Sequence, residues 1–162
     1  MIFVHEGYVT IILVTLTLLL QSVGMAVVIE WIKAQFPNGI RPLGFFHSIV
    51  LVVRLTSLLV CLHMLEVLLW ASFYRWKGFA TWEAALYFSA ASYSTVGAGD
   101  LFLKPAWRTM GPVESVTGML MCGLSASFLF AIVTRLVQHE NSDKPTRARP
   151  LPLAPGRASR LD

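Results

Sequence analysis

The sequence predicts an all-α membrane protein with three transmembrane helices and, between the second and third, a helix too short to cross. Three apolar stretches each reach the ~20 residues that a helix needs to span the hydrocarbon core. The chain is 56% hydrophobic and only 14% charged, with a mean hydropathy of +0.64, a balance foreign to soluble domains. A run of about 14 residues, Thr81 to Ser94, covers only ~20 Å as a helix and leads into a glycine-containing loop.

The first stretch runs from about Tyr8 to Ile29, interrupted only by Thr10, Thr15, Thr17, Gln21 and Ser22. It reads as a retained helix. A cleaved leader would have Gly24-Met25-Ala26 as its small-residue site, but no Lys or Arg precedes the run, and the run is long.

The second, from about Ile49 to Phe73, carries Arg54, His63 and Glu66. Such groups are costly against lipid, so they are expected to face protein or water. The third runs from about Pro112 to Leu136, with Glu114 near its start and no further charge until Arg135. Thr81 suits an N-cap for the short helix, and Glu83 falls in its first turn, near the positive end of the dipole. A re-entrant half-helix fits its length, because irregular backbone at membrane depth must be buried in protein or line a water-filled cavity. Its negative end would then point into the membrane and favour a cation there.

Where that helix stops, the chain reads Thr95-Val96-Gly97-Ala98-Gly99-Asp100. A dehydrated cation needs several oxygen ligands, and an extended backbone offers them as a ladder of carbonyls. Gly97 and Gly99 accept positive φ, Val96 is stiff and suited to packing outward against the short helix, and Thr95 adds a hydroxyl oxygen. Asp100 would stand at the outer mouth, where carboxylates concentrate cations.

The loop resembles the signature Thr-Val-Gly-Tyr-Gly-Asp of the potassium channel family, departing from it at Ala98. The resemblance runs from about Leu62 to Leu136: Glu66 and Trp70 on an outer helix, Ala85-Leu86-Tyr87-Phe88-Ser89 on the pore helix, the loop, Trp107-Arg108, then an inner helix. It implies passive K+ conduction, with K+ held at Thr95, Val96, Gly97 and Ala98 and with Gly99 completing the filter. No cofactor is expected beyond the permeant ion. One filter copy per chain implies a homotetramer around one axis. The aromatic usual at position 98 braces the carbonyl ring; Tyr87, Phe88 and Tyr93 are the candidates to fill its space. Without such a brace the expectation shifts to a weakly selective monovalent cation channel. A non-conducting channel-like accessory subunit is the third reading, and a transporter built on His63 and Glu66 has no inverted repeat to support it.

This divides the chain into an N-terminal helix and loop (1–44), a pore domain (45–137) and a basic tail (138–162). With the filter outward, Arg75, Lys77, Lys104 and Arg108 are outside, and the other nine of the 13 Lys and Arg residues are cytoplasmic, so the positive-inside rule agrees. The N-terminus is then outside and the C-terminus inside, as expected in a bacterial inner membrane. The tail holds four of the eight prolines and few apolar residues, and reads as a disordered topological segment, with anionic lipid as a second reading. Its basic residues account for much of the net charge of +4, so no nucleic-acid partner is inferred.

Gly118, Cys122 and Ser125 share one face of the third helix, and Gly123 and Ser127 another, which suits close packing. Gly118 or Gly123 as a hinge, with Phe128 and Ile132 narrowing the inner end, is the functional alternative. His63 and Glu66 lie three apart on one face; a structural pair comes before a pH sensor, and a metal site comes last. Glu114 is placed behind the filter, bonding Arg108 or hydroxyls of the pore helix. Cys61 and Cys122 read as small core residues. Arg54 stands alone, without the arginine series of a voltage sensor. No enzyme motif is present: there is no nucleophile elbow, zinc-peptidase helix or phosphate loop.

Overall fold

The computed structural model describes residues 2–35 and 45–142. Within them are four α-helices: α1 (Ile2–Gln35), α2 (Phe45–Lys77), α3 (Trp82–Tyr93) and α4 (Met110–Ser142), with one 3-10 turn at Pro105–Trp107. Arg41 and the expectations for the tail from 143 onward lie outside the described residues.

Three apolar segments are long enough to cross a membrane: Glu6–Gln35 (30 residues) in α1, Phe46–Lys77 (32 residues) in α2, and Pro105–Arg135 (31 residues), which begins at the 3-10 turn and continues through α4. Each helix runs several residues past the apolar core read from the sequence, because an α-helix bonds its own backbone and need not stop where hydropathy falls. The polar interruptions are absorbed in the same way. Thr10, Thr17, Ser72, Thr117 and Ser127 each donate to the carbonyl four residues earlier, at 2.7–2.9 Å, so their hydroxyls stay satisfied without a partner helix.

α1 and α4 both pack antiparallel to α2. At one end of the molecule, Leu13, Trp70, Tyr74, Phe88, Leu103 and Met110 share an apolar cluster, and Phe73 meets Trp107 edge-on at 5.3 Å. At the other end, Val28, Leu51, Leu55 and Ile132 are buried together. α1 approaches α2 closely at Gly24, where a Cβ would meet the Leu62 side chain at 2.5 Å. Two buried polar bonds fix it further: Trp70 Nε1 donates to Thr17 Oγ1 at 3.0 Å, and Gln21 Nε2 donates to Ser125 Oγ at 2.9 Å. α1 is therefore an integral part of the helix packing.

Cys61 and Cys122 are exposed, contrary to the core placement expected. Apolar neighbours in the sequence do not distinguish a protein-facing position from an outward-facing one when the surroundings of the helix are themselves apolar.

Candidate functional site

α3 is a 12-residue helix that begins as expected: Thr81 Oγ1 accepts from the Ala84 amide at 3.2 Å, and Glu83 lies in the first turn. It ends at Ser94, whose amide donates to Ala90 O at 3.0 Å. The next amides fold back on the helix end, Thr95 N to Ser92 O and Gly97 N to Ala91 O, both at 2.9 Å. Two residues of the loop take positive φ: Gly97 at 79°, as anticipated, and Thr95 at 62°. Gly99 does not. A β-branched residue in the left-handed region is strained, at a cost of about 1–3 kcal/mol, and such strain persists only where the surroundings over-determine it.

The surroundings here are the last turns of α3, held from both sides. The Tyr93 hydroxyl donates to Glu66 on α2, and His63 Nδ1 lies 2.8 Å from the same hydroxyl. Since that oxygen has given its proton to the carboxyl, the network assigns the Nδ1 hydrogen to His63. His63 Nδ1 is also 3.3 Å from Glu66 Oε2. From α4, Ser115 Oγ donates to Ser92 O at 2.6 Å. Gly118 admits the Tyr93 backbone, whose carbonyl would meet a Cβ there at 2.5 Å.

Glu114 is fully buried and bonds two hydroxyls: Tyr74 Oη donates at 2.7 Å, and Ser89 Oγ of α3 lies at 2.5 Å. A hydroxyl of the short helix α3 is thus its partner, as one of the two expectations had it. Arg108 lines a cavity beside the loop instead. Ser89 Oγ also lies 2.9 Å from Val67 O, a group that only accepts. A hydroxyl carries one proton, so both contacts close when Ser89 donates to the carbonyl and the Glu114 carboxyl supplies the proton between itself and Ser89. No tyrosine at position 74 stood out in the sequence, because nothing there places its hydroxyl opposite Glu114.

At the far end of the loop, the Tyr87 hydroxyl bonds Asp100, and the carboxylate's charge holds the phenol above its usual range. Of the three aromatics considered as fillers, Tyr87 reaches Asp100 and Tyr93 is committed to Glu66. Phe88 borders an open cavity of about 280 Å³ whose walls include Ala98, Leu101, Arg108, Gly111 and Ser115. Ala98 thus packs in part against the apolar cluster that holds Phe88 and in part borders this cavity.

The rest of the loop is free. Val96 is 80% exposed in the single chain, where the sequence suggested outward packing, and no atom would meet a Cβ at Gly97 or Gly99 within 4 Å. The adjoining face of α4 is also uncovered, with Val116, Met119, Leu120 and Phe130 at 60–73% exposure and Gly123 facing open space. Phe128 and Ile132 instead pack toward α1 and α2. Phe130 escaped the sequence reading, since spacing alone does not choose among the faces of an all-apolar helix. Among the described residues no three His, Cys, Asp or Glu side chains converge as a metal site.

Residues 55–135, half of the chain, match the family model described as ion channel. No curated protein and no solved structure matches.

Proposed function

Because the chain belongs to the ion channel family, we propose that it conducts K+ passively through a tetrameric pore whose filter is the backbone of Thr95 to Gly99. The observation that carries this reading is the position of the loop. Its root is tied to both α2 and α4 through Tyr93, Ser92 and Ser89, while the loop itself and one face of α4 stay uncovered. Four copies that turn those uncovered surfaces to a common axis surround it with carbonyls at Thr95, Val96, Gly97 and Ala98, backed by the negative ends of four α3 helices. α3 is then the re-entrant pore helix, and Asp100 forms a ring at the outer mouth. The same arrangement leaves the Val116 to Phe130 face of α4 to line the inner pore. In a bacterial inner membrane, the excess of Lys and Arg away from the filter favours an extracellular mouth and a cytoplasmic C-terminus.

The cavity behind Ala98 favours a second reading, a weakly selective monovalent cation channel. Carbonyls discriminate between ions only as far as their spacing is held, and about 280 Å³ of open space stands where a brace would be.

Purified protein in liposomes, tested for cation flux down a potassium gradient and then a sodium gradient, decides among these. Flux with potassium alone is the expected result. Equal flux with both ions establishes the weakly selective pore, and no flux with either leaves a non-conducting subunit.

A further inference from the structure

We propose that the groove between α1 and α2 binds an anionic phospholipid, with Arg54 holding its phosphate and the apolar wall holding an acyl chain. The groove encloses about 480 Å³, within the range of ligand sites, and its lining includes Val28 and Trp31 of α1 and Arg54, Ser57, Leu58 and Cys61 of α2. Among the described residues that line it, Arg54 is the one charged group.

Among the described residues no carboxylate bonds Arg54. Of the acids on α1 and α2, Glu30 is paired with Lys33 at 2.7 Å and Glu66 with Tyr93. Glu6 is buried near the opposite end of α1. An arginine inside a span is costly without a partner, and of the two expected surroundings, protein or water, the described residues offer Arg54 no acidic protein partner.

Depth makes the missing partner a headgroup. The apolar segment of α2 begins at Phe46 and has 32 residues, ~48 Å of helix against a hydrocarbon core of ~30 Å. Arg54 lies ~12 Å from that start, so it sits just inside the core boundary remote from the filter, and its long side chain reaches the headgroup layer. Leu58 and Cys61 follow at four and seven residues, on the same face and ~6 and ~10 Å deeper. The groove therefore presents a cationic fork at headgroup level and an apolar wall below it, the polarity order of a lipid standing in its own leaflet. Guanidinium and phosphate form bidentate charge-assisted bonds, which favours a phosphate headgroup over a zwitterion whose own cation competes.

Trp31 lines the groove and is one of five tryptophans, so its fluorescence, isolated by difference from Trp31→Phe, reports occupancy. The full chain is reconstituted in phosphatidylcholine vesicles containing a minor fraction of brominated phosphatidylglycerol or, separately, brominated phosphatidylcholine. The expected result is a preference of about five-fold for the anionic lipid at Trp31, the factor given by ~1 kcal/mol per arginine at a membrane surface. Arg54→Gln removes that preference and Arg54→Lys keeps most of it. Ser57→Phe, which fills the groove and leaves the charge, removes the quenching should Arg54→Gln not fold. Equal quenching by both lipids, a preference that survives Arg54→Gln, or protection from every lipid because a second copy covers the groove each overturns the proposal. Displacement by brominated free fatty acid at equal mole fraction overturns the choice of a phospholipid. Conduction is not read in this assay, so its outcome is separate from that of the channel reading.

Discussion

Gly118 of α4 lies against the main chain of Tyr93: a Cβ at 118 would come within 2.5 Å of the Tyr93 carbonyl oxygen and 3.0 Å of its ring. The contact is with backbone two residues before Thr95, so it cannot be relieved by a rotamer change. Gly118→Ala is expected to destabilise the protein by about 1–3 kcal/mol, as overpacking does, seen as a lower melting temperature in detergent. Gly123→Ala, with open space at its Cβ, is expected to be neutral or slightly stabilising, because alanine is the better helix former. Equal melting shifts for the two variants would remove the close-approach role of Gly118.

Glu114 supplies the proton of its contact with Ser89 and accepts from Tyr74. A glutamine there reproduces both roles, its amide donating to Ser89 and its oxygen accepting from Tyr74. Glu114→Gln should therefore stay within about 1 kcal/mol of the parent, while Glu114→Ala loses about 2–5 kcal/mol to unsatisfied hydroxyls and a cavity. Thermal unfolding of the two variants in the same detergent measures the difference. A glutamine variant as unstable as the alanine one would contradict the proton assignment.

Ala98 backs onto the cavity bordered by Phe88 and Gly111. If the missing brace limits selectivity, Ala98→Tyr should raise the preference for potassium over sodium by about ten-fold, which requires only ~1.4 kcal/mol of differential stabilisation. Bi-ionic reversal potentials of the two proteins provide the check, and an unchanged ratio would separate the cavity from selectivity.

Tyr87 bonds Asp100 from the exposed side of α3, and the charge of that carboxylate holds its phenol above the usual tyrosine range. The sign follows directly: the bonded form is the protonated phenol, so the bond holds through neutral and mildly alkaline pH and is lost only as pH rises past the raised value. Tyr87→Phe should thus alter current amplitude or rundown equally at pH 7 and pH 9, both ~1 unit or more below an ordinary tyrosine. An effect seen at pH 7 but absent at pH 9 would place the loss of the bond below that range.

His63 binds the Tyr93 hydroxyl through Nδ1. That hydroxyl also donates to Glu66, so the imidazole is one of the side chains that join α2 to α3, which favours the structural role over a sensor. Currents of His63→Gln and the parent should show the same pH dependence between about pH 5 and 8, the window in which an imidazole titrates. A shifted midpoint would restore the sensor reading.

The three long helices, the capped half-helix from Thr81 to Ser94 and the loop after it were legible in the sequence. Length and apolarity alone decide whether a helix can cross hydrocarbon, and a cap residue marks a start wherever it stands. What only the tertiary structure decided is which side of each helix meets protein. In an apolar solvent a leucine turned outward is no worse than one turned inward, so periodicity does not mark the buried face. That is why Cys61 and Cys122 lie on exposed faces, why Phe130 and not Phe128 is on the free face, and why Arg54 was seen as a charge but not as the head of a groove. The polar partners were hidden for the same reason: Tyr74 to Glu114 spans 40 residues and Gln21 to Ser125 spans 104, pairs fixed by helix packing and by no spacing in the chain.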